Sequence, residues 1–198
     1  LPWAVAAIAL LALVALIAGQ RIARSRPTAA AAVAADDGSA QSGTGGDASR
    51  APVAAPDISN LTPEQRAERL FNVIMTRFEE GDTARVQFLA PMALQAYQQL
   101  PRLTIDDRYH LGRIGAVTGI AQLTSAQADT ILRTQPTHLL GLVLAAQGAR
   151  MRGDESAARA FDRRLLAVQA AELKKQLPEY SQHANDITRA IDGAKSRP

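Results

Sequence analysis

The first nineteen residues, LPWAVAAIALLALVALIAG, contain no charged side chain, and the run ends at Gln20 and a basic cluster of Arg21, Arg24 and Arg26. A helix rises about 1.5 Å per residue, so the run spans roughly 28 Å, the thickness of one hydrocarbon core. Two other readings fit less well. A cleaved secretory signal has a shorter apolar region and a small-x-small cleavage site, but here arginines stand where that site is expected. A buried core helix of a globular domain shows a polar stripe, and this run has none. The expectation is a single transmembrane helix with its basic flank over residues 1–26. Trp3 would lie at one membrane–water interface and Arg21, Arg24 and Arg26 at the other. With no ionisable group inside the run, it offers neither an ion path nor a proton relay.

Orientation is set by competing signals. The positive-inside rule places the three arginines, and the rest of the chain with them, in the cytoplasm. The chain starts at Leu1 rather than Met, and a short basic tail upstream would reverse that placement. The segment after the basic cluster has the composition of an exported tether. The expected arrangement is a bacterial inner-membrane anchor with a periplasmic helical domain.

Residues 27–58 are Ala, Gly, Ser, Pro and Asp with almost nothing bulky. Such a segment buries too little apolar area to offset the entropy of ordering, so it reads as a linker. Residues 59–198 form the expected helical domain. Four of the 22 Lys and Arg and three of the 19 Asp and Glu precede residue 57, which leaves 18 basic and 16 acidic residues beyond it. That near-balance gives no electrostatic argument for nucleic acid. The absence of cysteine excludes disulfides, thiolate metal sites and cysteine nucleophiles.

Beyond the linker the pattern is helical throughout, an all-α fold. Three helix entries resemble one another: Thr62 with Gln65, Thr104 with Asp107, and Thr124 with Gln127, each spaced as a capping box. Pro63 stands where the first helical N–H would be unsatisfied anyway. The spacing predicts helices near 63–80, 83–99, 104–121, 125–134, 137–152, 154–176 and 179–193, with a kink or break at Pro91. Small residues predict close helix packing at Gly112, Gly115 and Gly119 on one helix, and at Gly141, Ala145 and Gly148 on another. A ligand cleft at those glycines is the alternative. Glu155 and Arg159 are spaced as an i,i+4 pair.

Gly81-Asp82 and Gly153-Asp154 stand 72 residues apart, close to two helical-hairpin units of about 34–36. Leu111-Gly112 followed by Pro136 adds the unit over 105–138, with Thr124 at a position that favours a small residue. Leu142, Gly153-Asp154, Ala158 and Phe161 mark the unit over 139–172. On these residues the domain resembles a degenerate tetratricopeptide-repeat protein of three hairpins and a C-terminal capping helix. The layout of anchor, tether and repeats is similar to that of bacterial envelope and cytochrome-maturation repeat proteins. The resemblance implies a concave surface that binds peptide or protein segments.

No catalytic constellation emerges. His110, His138 and His183 are isolated in sequence and lack metal-ligand spacing, and His138 reads as a surface or capping residue. Asp106-Asp107 reads as first-turn acids favoured by the helix dipole, and Glu79, Glu80 and Asp82 as a solvated turn. Arg163-Arg164 and Lys174-Lys175 read as a solvated helix face. The sequence therefore predicts no catalytic residue, no metal ligand, no cofactor and no small-molecule substrate. The expected partners are the bilayer and other protein subunits. The expected role is a non-catalytic accessory subunit of a large membrane complex of respiratory or photosynthetic type; the alternative is a membrane-tethered adaptor or assembly factor.

Overall fold

In a computed structural model, Pro56 and residues 58–197 are described. The apolar run, Trp3, Arg21, Arg24, Arg26 and all but the end of the linker lie outside the described residues. Among the described residues no helix is long and apolar enough to cross a membrane.

Those residues form eight helices and no strand: α1 Pro63–Glu79, α2 Thr83–Gln98, α3 Ile105–Val117, α4 Ala121–Thr134, α5 Leu139–Met151, α6 Glu155–Leu173, α7 Pro178–Gln182 and α8 Ala184–Ser196. Two of the three expected capping boxes form. Thr62 Oγ1 accepts from Gln65 N–H while Gln65 Oε1 accepts from Thr62 N–H, and Thr104 and Asp107 do the same. Asp82 and Asp154 cap α2 and α6 by accepting from the amides of Arg85 and Ala157. Pro91 lies inside α2 without dividing it, so the expected break is absent.

The hairpins α1/α2, α3/α4 and α5/α6 turn through one repeated device. Gly81, Gly119 and Gly153 have φ of 76°, 79° and 74°. In each turn the glycine N–H reaches back three residues, Gly119 to the Ala116 carbonyl for example, and the next N–H reaches back five, Ile120 to Gly115. This pair of bonds is the Schellman motif, and its left-handed position favours glycine. Gly119 follows Gly81 by 38 residues and precedes Gly153 by 34. It is the middle turn of the series, so the expected 104–121 helix ends at Val117 and α4 begins at Ala121.

That correction moves two residues. Gly119 is a turn residue, with nothing within 4 Å of where a Cβ would stand. Thr124 lies within α4, fully buried, and its hydroxyl donates 3.0 Å to the Gly112 carbonyl, which joins α4 to α3. The other named glycines sit at close approaches. A Cβ on Gly112 would overlap the Leu144 methyl groups, and on Gly115 it would lie 2.9 Å from the Thr124 amide nitrogen. On Gly141 it would lie 2.8 Å from Ile131 Cγ2, and on Gly148 2.6 Å from Ser125 Oγ. Ala145 is buried beside them.

Two apolar clusters result. Leu70, Phe71 and Ile74 of α1 pack with Val86, Leu89 and Tyr97 of α2 and with Leu111 and Ile114 of α3. Tyr109 of α3 belongs instead to the cluster built on Leu139, Leu140, Leu142 and Leu144 of α5, with Leu165 of α6 and Ile187 and Ile191 of α8. Helix α3 thus faces both. The i,i+4 pair expected for Glu155 and Arg159 does not form, whereas Arg150 of α5 reaches Asp162 of α6.

Alanine at Gly112 and Gly115 separates two kinds of close contact. At Gly115 the obstacle is backbone, and overpacking there should lower the unfolding free energy by about 1–3 kcal/mol. At Gly112 the obstacle is the end of the Leu144 side chain, which can rotate, and the better helix propensity of alanine, about 1 kcal/mol, offsets the cost. Urea denaturation should therefore find Gly115→Ala clearly destabilised and Gly112→Ala much closer to wild type; equal losses would contradict this contact geometry.

Candidate functional site

Helix α3 carries Asp106, Tyr109, His110 and Arg113 at i, i+3, i+4 and i+7, which places them along one face. The junction of α7 and α8 and the first turns of α8 carry His183, Asp186 and Arg189. The fold brings the two series together. His183 Nε2–H donates 2.9 Å to Asp106 Oδ1, and the same nitrogen lies 3.2 Å from His110 Nε2. Asp106 Oδ2 lies 3.5 Å from His110 Nε2. Tyr109 Oη–H donates 2.7 Å to Asp186 Oδ2, and Asp186 is further held by Arg113 and Arg189.

His110 is the most enclosed member. Phe71 of α1 stacks on its ring at 3.8 Å between centroids, 17° from parallel. Tyr97 Oη of α2 lies 2.9 Å from its Nδ1. Burial lowers its pKa to about 4, so the ring is neutral near pH 7. The ring meets Tyr97 through Nδ1 and His183 and Asp106 through Nε2, and the donor in each contact follows from which nitrogen carries the proton. Burial pushes the Asp106 carboxyl up, but the hydrogen bond from His183 and the two imidazoles outweigh it and hold the group below the usual range. Burial raises Tyr97 well above an ordinary phenol, with the nearby carboxylates adding to the shift, so it stays protonated.

His138, expected at the surface, is fully buried. It occupies the N-cap position of α5 without capping it. Its Nε2 lies 3.2 Å from Glu179 Oε1 and its ring rests 4.9 Å from that of Tyr180. Its Nδ1 is buried without a hydrogen-bond partner. Alongside, the buried carboxylate of Glu172 accepts from the Thr137 hydroxyl, the Tyr180 hydroxyl and Lys175 Nζ. This second polar knot fastens the start of α5 and the end of α6 to α7. The acids Asp106 and Asp107 divide their work: Asp107 completes a helix cap and Asp106 faces the histidines. Of the basic doublets, Arg164 stacks near the Phe161 ring and donates to the Pro136 carbonyl, and Lys175 pairs with Glu172.

A groove of about 370 Å³ opens beside the histidine cluster, with walls from α1, α3, α5, α6 and α8. Arg113, Arg150, Arg189 and Arg197 line it, with Asp162 and Asp186 as the acids. Each acid is shared: Asp162 between Arg150 and Arg197, Asp186 between Arg113 and Arg189. The Nε groups of Arg113 and Arg150 are buried donors without a hydrogen-bond partner. Val143, Ala146 and Leu165 give the groove an apolar floor. Phe78, 45% exposed, stands at its rim and is shared with a smaller cavity of about 190 Å³ that also reaches His183. Sequence reasoning passes over the four arginines, the first and last of which stand 84 positions apart and which belong to no run. Compared with protein-family models, with curated proteins and with solved structures, the chain matches none.

The His138 knot has a pH consequence. Burial lowers the pKa of His138, against opposing pulls from Glu179 and Glu172, while Lys175 adds to the lowering. A proton gained on Nδ1 would find no acceptor. The unfolded chain binds that proton near the ordinary value of about 6.5. Stability from this group is therefore complete above about 6.5 and is lost as pH falls below it. Urea denaturation of wild type and His138→Gln between about pH 7.5 and 5 should show the wild type losing its advantage on acidification. A constant difference would refute the assignment.

Proposed function

We propose that this chain is a membrane-tethered, non-catalytic binding subunit whose helical domain takes an acidic segment of a partner protein in the arginine-lined groove. The observation that carries this reading is the groove itself: four guanidinium groups face two carboxylates, leaving an excess of positive charge over an apolar floor. Guanidinium groups are suited to this task because their fork pairs with a carboxylate through two parallel hydrogen bonds. An exposed aromatic at the rim supplies apolar contact beside the charge, the combination that dominates protein interfaces. Three hairpins closed by the same turn, with the first helix of each contributing to the groove, are also the geometry expected of a tetratricopeptide-like module.

The apolar run at the N-terminus supports the tether, and residues 27–58 supply its reach. In this reading the protein is an accessory subunit of a membrane complex, and its contribution is contact and position at the inner membrane, with the helical domain on the periplasmic side. The histidine cluster then serves to hold α8, and with it Asp186 and Arg189, in register with α3.

Mild-detergent purification with mass spectrometry, followed by cross-link mapping, tests the reading. The wild-type chain should recover one complex in stoichiometric amount, with cross-links from an acidic partner segment to the groove. Arg189→Glu combined with Phe78→Ala, both exposed changes, should reduce recovery by about tenfold or more, and raised salt should act in the same direction. Recovery of the chain by itself, or unchanged recovery with the variant, would overturn it.

A further inference from the structure

Asp106 and His110 lie one helical turn apart on α3, and His183 is delivered from the α7–α8 junction 73 residues later. We propose that Asp106, His110 and His183 form a three-ligand site for a divalent first-row transition-metal ion of the zinc class. The proposal is independent of what occupies the arginine groove.

Three observations carry it. The first is spacing. One candidate ligand atom from each residue lies within 4.8 Å of the others. The nearest separations are 2.9 Å from His183 Nε2 to Asp106 Oδ1, 3.2 Å between the two Nε2 atoms, and 3.5 Å from His110 Nε2 to Asp106 Oδ2. Ligands about 2.0–2.1 Å from a tetrahedral ion stand about 3.3 Å apart, which the 3.2 Å between the two Nε2 atoms matches; the Asp106 distances run to its two different oxygens, so a small turn of the carboxylate completes the set. A carboxylate with two imidazoles also has the donor softness of zinc and its neighbours rather than of calcium or magnesium, which prefer all-oxygen shells.

The second observation is support behind the ligands. A metal-bound imidazole ordinarily donates its other N–H to a fixed acceptor, which sets both tautomer and ring orientation. His110 Nδ1 has Tyr97 Oη at 2.9 Å, where it can receive that N–H once Nε2 binds an ion, and Phe71 stacked at 3.8 Å fixes the plane of the ring. On the other side, the Tyr109 ring lies 4.6 Å from that of His183. The His183 backbone is itself held: its N–H donates to the Glu179 carbonyl, and its carbonyl accepts from Asp186 and Ile187.

The third is access. His183 lines the cavity of about 190 Å³ that Asn72 and Glu79 of α1 also reach, and Asp106 is part-exposed. Three protein ligands leave a fourth position for water. An ion bound at His183 Nε2 takes the place of the proton there, which passes to Nδ1, so that the ring binds as a neutral imidazole. With all three ligands bound, the ion would clamp the α7–α8 junction to α3.

The test uses the untagged full chain in detergent micelles, titrated with Zn²⁺ by calorimetry and with Co²⁺ by visible absorption. The expected result is one equivalent of Zn²⁺ per chain, a tetrahedral-type Co²⁺ spectrum, a higher melting temperature with Zn²⁺, and none of these with Mg²⁺. Asp106→Asn and His183→Gln should each weaken binding by more than about 100-fold, and Tyr97→Phe by about 10–100-fold. His138→Gln, which alters the other polar knot, should bind as wild type does. Circular dichroism verifies folding of each variant, and the part-exposed Asp106→Asn carries the test if His183→Gln does not fold. Failure of the wild type to take up one equivalent, or unchanged uptake in Asp106→Asn, would overturn the proposal and leave a hydrogen-bonded cluster.

Discussion

Helix α3 can be packed from several sides at once only because its residues differ by face. Leu111 and Ile114 enter the cluster shared with α1 and α2, and Tyr109 enters the one shared with α5 and α8. Gly112 and Gly115 remove the atoms that would hold α5 and α4 away. The remaining stripe of Asp106, His110 and Arg113 meets the C-terminal helices with polar groups. A close approach on one side and a polar contact on another constrain the same thirteen-residue helix. A shift of α3 along its axis would misplace the glycines and the histidine together, so the two apolar clusters are held in a single register.

Polar groups at such a junction are costly unless each finds a partner, because desolvation of an unpaired group outweighs the gain of burying its neighbours. Here most are paired. Asp106, His110, His183 and Tyr97 form one chain of contacts, and Tyr109, Asp186, Arg113 and Arg189 form a second beside it. Paired groups of this kind discriminate between alternative dockings of a short helix more sharply than apolar contact does, since a displaced helix leaves several buried groups unsatisfied at once. That matters for α7, a helix of five residues with little apolar surface of its own. It is fixed near one end by the Glu172, Tyr180 and His138 contacts and beyond the other by His183.

The helical class, most helix starts and the packing role of the glycines inside α3 and α5 are legible in the sequence because they depend on local signals: capping spacing, apolar period and small-residue stripes. Gly119 misleads because a glycine in a run of helix formers looks the same whether it packs or turns. Only the equivalence of three turns at Gly81, Gly119 and Gly153 decides it. Thr124 misleads for a related reason, since a capping-box spacing recurs by chance inside a helix. The histidine cluster is not legible at all. Its members are separated by as many as 77 residues, and each has an ordinary local explanation: a first-turn acid and two isolated histidines. The signal available is the spacing of Asp106, Tyr109, His110 and Arg113, a polar and aromatic stripe on a helix that otherwise reads as buried.

Asp186 links the histidine cluster to the arginine groove. One of its oxygens accepts from the buried Tyr109 hydroxyl and also lies near Arg113, while the other holds Arg189 at 2.7 Å. Burial pushes its carboxyl up, but Arg113, the Tyr109 hydroxyl and Arg189 more than compensate, so it stays ionised. A carboxylate arriving in the groove competes with Asp186 for the same guanidinium groups. Arg189 lies mostly in solvent and can turn toward an arriving acid without leaving a buried charge bare, whereas Arg113 cannot. The groove therefore has one adaptable cation and one fixed cation on the same acid. The fixed one is held by the contacts that place α8 against α3, so the geometry of the groove is set by the packing of the core beneath it.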